Sequence, residues 1–90
     1  MKNILVTGGS GFIGSNFIIN QLKTTDNMIY NIDNLTYASN IENIESLNDL
    51  SRYSFSKGDI NDYDLVEGVF DVFKPDVLIN FAAEVMLIDQ

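Results

Sequence analysis

Apolar residues along this chain concentrate in short runs that alternate with polar or amphipathic segments. The runs fall at residues 3–7, 28–32, 53–57 and 77–81, and their length and flanking turn residues are typical of buried β-strands. Alternation of strand-like and helix-like segments predicts βαβ units and therefore an α/β protein with a parallel sheet.

The segments between these runs predict helices with unequal strength. Residues 15–22 are helix-like, and the segment before the last strand has Asp62 as an expected helix cap and Pro75 beyond the expected end. Its apolar side chains recur at helical spacing: Leu65, Val66, Val69, Phe70 and Phe73. A poorer stripe in a polar segment predicts a further helix less strongly: Ile41, Ile44, Leu47 and Leu50.

The order of the strands in the sheet follows from the handedness of their connections. Right-handed crossovers and the doubly wound pattern give the order 3-2-1-4, a partial Rossmann fold with helices flanking a parallel four-stranded sheet. Ninety residues make one small domain, residues 1–90. The apolar fourth strand is predicted at an edge of the sheet, where an exposed strand favours self-association.

A glycine-rich turn follows the first strand directly and opens a helix. It reads Thr7-Gly8-Gly9-Ser10-Gly11-Phe12-Ile13-Gly14, which fits both a G-x-G-x-x-G and a G-x-x-G-x-x-G spacing. Such a turn lets the backbone and the positive end of the helix approach a dinucleotide pyrophosphate. Asp33 lies nineteen residues after Gly14, where an acid can accept hydrogen bonds from an adenosine ribose. A purely structural turn is the alternative.

Composition excludes several classes of function. With 13 acidic and 5 basic residues, the net charge of −8 opposes binding to nucleic acid or to an anionic membrane. The chain has no Cys and no His, so it lacks a thiol nucleophile, an imidazole base, a disulfide framework and the usual zinc ligands, and no metal site is predicted. No apolar run has the length of a signal peptide or a membrane span, which predicts a cytoplasmic protein.

Four segments together resemble the amino-terminal part of the dTDP-glucose 4,6-dehydratases, within the extended short-chain dehydrogenase/reductase family. They are residues 7–17, Asp33-Asn34-Leu35-Thr36-Tyr37-Ala38, Lys57-Gly58-Asp59-Ile60 and Phe81-Ala82-Ala83-Glu84. The similarity covers residues 1–84, and the Leu-Thr-Tyr-Ala run is its most discriminating piece. A fragment of another sugar-nucleotide epimerase or dehydratase, and a non-catalytic nucleotide-binding or interaction module, are the alternatives.

The resemblance implies NAD as the cofactor and assigns its contacts to the ends of the strands. The implied cofactor-binding residues are Gly8, Gly11, Phe12, Ile13, Gly14, Asp33, Asn34, Leu35, Thr36, Asp59, Ile60, Phe81, Ala82 and Ala83, and Glu84 is implied near the sugar-nucleotide substrate. Ordinary turn chemistry for Asp33 and Asp59, and packing for Leu35 and the alanines, are the structural alternatives. A carboxylate at the ribose would repel the 2′-phosphate of NADP, and no Arg follows Asp33 to offset it.

The resemblance also implies an NAD-dependent lyase, which acts as a homodimer on a nucleotide sugar and forms dTDP-4-keto-6-deoxyglucose and water from dTDP-glucose. The catalytic Tyr-x-x-x-Lys and Asp-Glu pairs of the family belong to regions downstream of the resemblance. We therefore expect this chain to lack them, to contribute no catalytic residue and to be inactive alone.

The tail at residues 85–90 departs from the family, which reads Ser-His-Val-Asp-Arg-Ser where this chain reads Val-Met-Leu-Ile-Asp-Gln. Deleting one A from an AT-rich coding sequence for the family segment yields this ending. We therefore hypothesise that this chain is the frameshifted, truncated product of a dehydratase gene. The alternatives are a deliberately shortened chain and an ordinary short protein.

Overall fold

All the predicted strands form, and they pair in parallel in one sheet. The structure is a computed structural model that describes residues 1–35 and 40–81. Its elements are β1 (Asn3–Thr7), α1 (Phe12–Thr24), β2 (Met28–Asp33), α2 (Ile41–Glu45), β3 (Tyr53–Lys57), α3 (Tyr63–Phe73) and β4 (Val77–Asn80). The strand order is β3-β2-β1-β4, which confirms the predicted 3-2-1-4 arrangement and the Rossmann-like α/β fold.

The central strand β1 is buried on both faces because helices cover the sheet from both sides. Ile4 and Val6 face α1 and α2, and they pack in a core with Ile18, Leu22, Ile29 and Ile44. Leu5 points the other way and packs with Ile32 and Val69 under α3. Alternation of side chains along a strand thus divides the core into two layers.

Two helices differ from the sequence expectation. Helix α1 begins at Phe12, directly after the glycine turn and one turn earlier than residues 15–22 suggest. Helix α2 ends at Glu45, although Leu47 and Leu50 still pack against the α1 side of the core. The polar residues that follow α2 favour turns over a helix, as shown by the side chain of Asp49, which accepts a hydrogen bond from the Ser51 N–H at 2.9 Å.

Helix α3 begins and ends as predicted. The Asp62 carboxylate caps it by accepting from the Leu65 N–H at 3.2 Å. At its other end Lys74 adopts a left-handed conformation, with φ of 53°, and Pro75 follows. In residues 1–35 and 40–81, no helix is long and apolar enough to cross a membrane.

Strand β4 lies at the edge of the sheet. Within the described part of the chain its only strand neighbour is β1, and the Leu78 side chain on the α3 side of the sheet is 53% exposed. The predicted edge position is therefore confirmed, and it leaves apolar surface uncovered.

Candidate cofactor-binding site

The turn between β1 and α1 has a backbone conformation that favours glycine at its first position. Gly8 has φ of 72°, in the left-handed region that other residues adopt only at a cost. Its N–H donates to the Ile32 carbonyl at 2.9 Å, which holds the start of the turn against β2. Gly11 is extended and forms the amino-terminal cap position of α1.

Gly14 allows the first turn of α1 to lie directly against the glycine turn. A Cβ atom at this position would come within 2.7 Å of the Gly8 carbonyl oxygen and 2.8 Å of the Gly9 Cα. Both neighbours are backbone atoms and cannot rotate away. The close approach of helix and turn therefore depends on a residue without a side chain.

The amino end of α1 presents unsatisfied amide groups. The helix has no side-chain cap and no acidic residue in its first turn. Its first hydrogen bond runs from the Ser15 N–H to the Gly11 carbonyl at 2.9 Å, so the N–H groups of Phe12 and Ile13 have no intrahelical acceptor. Because these amides lie at the positive end of the helix dipole, the site suits an anion such as a phosphate group.

Asp33 lies at the carboxyl end of β2, beside this turn. The residue is only 3% exposed. Its Oδ2 accepts from the Ser10 N–H at 2.8 Å and its Oδ1 from the Leu35 N–H at 2.9 Å. The carboxylate thus links the glycine turn to the loop that follows β2, which is a structural role beside the implied role in binding ribose.

Asn31 is a residue of this site that the sequence reasoning missed. It is fully buried two residues before Asp33, on the same face of β2. Its Oδ1 accepts from the Gly9 N–H at 3.0 Å, while its Nδ2 donates to the Ser10 Oγ and to the Tyr53 hydroxyl, each at 3.2 Å. The sequence did contain a signal for this role. Asn31 is a polar residue within an apolar strand, and it lies two positions before Asp33, so the two side chains lie on the same face of the strand.

Gly58 and Phe81 directly follow β3 and β4 and lie at the same edge of the sheet, because the strands are parallel and their carboxyl ends lie there. The Gly58 N–H donates to the Asp33 carbonyl at 3.1 Å and the Phe81 N–H to the Thr7 carbonyl at 2.6 Å. Asp59 is exposed, and its carboxylate accepts from the Asn61 N–H at 2.8 Å in a local turn, which agrees with the structural interpretation.

The remaining predicted positions are a mixture of exposed and packed side chains. Asn34 is exposed, Ile60 is 37% exposed, and the Phe81 ring packs on Phe17 with ring centroids 5.5 Å apart. Thr36, Ala82, Ala83, Glu84 and the tail at residues 85–90 lie outside the described residues. Over the described ranges, no group of three or more acidic, His or Cys side chains is arranged to hold a metal ion.

The expectation that the chain lacks a Tyr-x-x-x-Lys spacing was wrong, since Tyr53 and Lys57 have that spacing. Both residues lie on β3, where four residues span about 13 Å, against about 6 Å along a helix. Burial also raises the pKa of the Tyr53 hydroxyl above 10.0, and the hydrogen bond from Asn31 opposes this only in part. A catalytic tyrosine base needs a lowered pKa, and burial shifts the pKa of Tyr53 in the opposite direction.

Comparison with known proteins places these features in a family. The family model described as GDP-mannose 4,6 dehydratase matches residues 5–89. A dTDP-glucose 4,6-dehydratase of Haemophilus influenzae is 45% identical over 84 residues, which are 93% of this chain and 25% of that protein. The chain therefore spans about a quarter of the length of the curated relatives it matches.

Two solved structures have the same fold. The dTDP-glucose 4,6-dehydratase from Bacillus anthracis in complex with NAD matches with a TM-score of 0.86 and 45% identity, over 96% of this chain and 28% of that one. The UDP-Glc/GlcNAc 4-epimerase from Campylobacter jejuni matches with a TM-score of 0.78 and 37% identity, over 92% of this chain and 25% of that one.

Proposed function

The chain belongs to the GDP-mannose 4,6-dehydratase family, and we propose that it is the NAD-binding amino-terminal part of a dTDP-glucose 4,6-dehydratase. The observation that carries the proposal is the uncapped amino end of α1 beside the glycine turn. There the N–H groups of Phe12 and Ile13 have no intrahelical acceptor, and they follow Ser10, whose N–H donates to the carboxylate of Asp33. NAD is the ligand present in the Bacillus anthracis relative.

The residues of this chain would bind and orient NAD rather than react with it. The pyrophosphate would lie at the amino end of α1, where amide hydrogen bonds and the helix dipole stabilise negative charge. The residues Asp33, Asn34 and Leu35 would border the adenosine ribose, and Asp59 and Ile60 the adenine. Bound NAD would supply a hydride acceptor, and the catalytic groups would come from a region beyond these 90 residues.

The charge at Asp33 favours NAD over NADP. The carboxylate is buried beside the turn, and its neighbour Asn34 carries no positive charge that could attract a 2′-phosphate. A 2′-phosphate on the ribose would therefore bring two negative charges together in a region of reduced dielectric constant. We expect NADPH to bind at least ten times more weakly than NADH, a difference of about 1.4 kcal/mol.

We propose further that the longer protein to which this sequence corresponds converts dTDP-glucose to dTDP-4-keto-6-deoxyglucose and water. Cytoplasmic location and assembly as a homodimer belong to the same proposal and rest on the resemblance. A sugar-nucleotide 4-epimerase is the second candidate, because the Campylobacter jejuni epimerase has the same fold over this region. The Leu35-Thr36-Tyr37-Ala38 run favours the dehydratase.

A charge placed at the amino end of α1 tests the cofactor site directly. In Ile13→Glu, at a position 69% exposed, the new carboxylate competes with a phosphate for the free amides. An acid in the first helical turn also stabilises the helix, so weaker binding would not arise from unfolding. Asn20→Glu adds the same charge at an exposed position two turns further along α1 and serves as the control.

Fluorescence titration with NADH gives the readout for the folded 90-residue chain. We expect Ile13→Glu to raise the dissociation constant at least tenfold and Asn20→Glu to leave it within twofold. The proposal fails if folded wild-type chain shows no saturable binding of NADH. It also fails if the two variants bind NADH equally well.

A further inference from the structure

The backbone amides in the first half of the glycine turn are used within the protein rather than left for a ligand. The N–H groups of Gly8, Gly9 and Ser10 donate to the Ile32 carbonyl, the Asn31 side chain and the Asp33 side chain respectively. All three acceptors belong to β2. The strand therefore determines where the turn lies, and the turn determines where the free amides of α1 point.

The Asn31 side chain can take only one orientation in this arrangement. An N–H group can only donate, so the amide of Gly9 requires the oxygen of the Asn31 side chain on its side. Both hydrogens of Nδ2 then have acceptors, namely the Ser10 Oγ and the Tyr53 hydroxyl. Asn31 is 0% exposed, and every polar atom of its side chain has a hydrogen-bond partner.

Tyr53 completes the connection from the neighbouring strand. It lies on β3, on the same side of the sheet as Asn31, and its ring packs against the apolar core under α1. Its hydroxyl accepts from the Asn31 Nδ2 at 3.2 Å. Hydrogen bonds in such a connected group constrain one another, so loss of this hydroxyl frees the amide to move.

We propose that Asn31 is a positioning residue for the cofactor: it fixes Gly9 and Ser10 so that the amides at the start of α1 meet the pyrophosphate, and Tyr53 holds its amide in place. The proposal rests on the proposed binding of NAD. An apolar residue at position 31 would suit the surrounding core equally well, since Ile18 and Ile29 belong to that layer. A polar side chain there is explained by the turn that it holds.

The test compares two tyrosine hydroxyls that have different hydrogen-bond partners. Tyr53→Phe removes the group bonded to Asn31, while Tyr30→Phe removes a hydroxyl that bonds Ser56 at 2.6 Å on the opposite face of the sheet. Asn31→Leu replaces the amide by an apolar side chain with the same number of heavy atoms. We expect Tyr53→Phe to raise the dissociation constant for NADH at least threefold and Asn31→Leu to raise it at least tenfold. The dissociation constant of Tyr30→Phe should stay within twofold of the wild-type value.

Titrations with ADP-ribose and with adenosine separate a loss of pyrophosphate positioning from a general loosening of the fold. ADP-ribose contains the pyrophosphate and should lose affinity by the same factor as NADH in Tyr53→Phe, whereas adenosine lacks it and should keep its affinity. Equal losses for both ligands would overturn the proposal. Unchanged affinity of Tyr53→Phe for NADH would also overturn the proposal. This result can be obtained even if Asn31→Leu does not fold.

The wild-type titration distinguishes this failure from failure of the proposed function. If wild-type chain does not bind NADH, the cofactor assignment is wrong and the positioning role with it. If wild-type chain binds NADH and the variants bind equally well, only the positioning role is wrong. Hydrogen exchange at the Gly9 and Ser10 amides should accelerate in Tyr53→Phe and remain unchanged in Tyr30→Phe, without any ligand present.

Discussion

The close contact between α1 and the glycine turn makes Gly14→Ala an informative perturbation. Alanine is normally the better helix former, by about 1 kcal/mol, and a helical Gly→Ala change usually stabilises a protein. Here the added Cβ would lie 2.7, 2.8 and 3.2 Å from three backbone atoms of Gly8 and Gly9. Ordinary contact begins near 3.4 Å, so the helix must move away from the turn by about 0.7 Å.

Gly68→Ala provides a matched control in the same molecule. Gly68 lies within α3, is exposed, and has no atom within 4 Å of the position that a Cβ would take. Both substitutions replace a helical glycine by alanine and restrict the unfolded chain equally, so the effect on the unfolded chain cancels in the comparison. The remaining difference in the free energy of unfolding is the steric cost at Gly14.

The size of that cost follows from the number and rigidity of the contacts. Overpacking of a close-packed site typically costs about 1–3 kcal/mol. Three backbone contacts below 3.4 Å place the cost of Gly14→Ala in the upper half of this range. We therefore expect the free energy of unfolding of Gly14→Ala to be about 2–3 kcal/mol lower than that of Gly68→Ala. For a chain of this length, that corresponds to a difference of about 10–20 °C in the thermal midpoint.

Thermal unfolding followed by circular dichroism measures this difference, and NADH titration measures its effect on the site. Because the shift of α1 carries the amides of Phe12 and Ile13 with it, affinity for NADH should fall at least tenfold in Gly14→Ala and remain unchanged in Gly68→Ala. Equal thermal midpoints for the two variants would refute the reasoning, since they would show that helix and turn separate without cost.

Helix capping, tyrosine ionisation and the exposed edge strand each give a further measurable outcome. Asp62→Ala should lower the free energy of unfolding in urea by about 1 kcal/mol, because the Leu65 N–H loses its acceptor; an unchanged midpoint would contradict this. The raised pKa of Tyr53 stabilises the fold fully below about pH 10, and this contribution declines as the pH rises through the folded-state pKa. Tyr53→Phe should therefore show a shallower alkaline loss of thermal stability than wild type, and parallel losses would refute the assignment. Leu78→Lys should reduce self-association of the chain in sedimentation experiments, because it places a charge on the exposed edge strand β4. Val72→Lys, at an 84% exposed position on α3, adds the same charge away from that edge and should not reduce self-association. Equal effects of the two variants would show that the added charge, and not the edge strand, controls self-association.

The sequence was sufficient for the parts of the protein that depend on local patterns. Apolar runs and turn residues located every strand to within a residue, and the cap at Asp62 and the proline after α3 marked that helix. The extent of α2 was overestimated because Leu47 and Leu50 pack on the core from a loop, and burial alone does not require a helix. Periodicity reports which side chains are buried, not which backbone conformation buries them.

The candidate site divides in the same way. The glycine spacing and the acid nineteen residues later are properties of the linear sequence, and they sufficed to predict a dinucleotide-binding turn. The roles of Asn31 and Tyr53 could not be predicted, because they lie 22 residues apart and meet only when β2 and β3 pair. The close contact at Gly14 likewise exists only when the first turn of α1 lies against Gly8 and Gly9.

The sequence by itself thus determined the order of strands and helices and the position of the glycine turn, because local propensity and handed connections leave few arrangements open. Tertiary structure alone decided which amides of that turn are used internally and which are left at the start of α1. The physical reason is that a hydrogen bond between distant residues depends on which residues the strand register places side by side, and residue spacing alone does not specify that register.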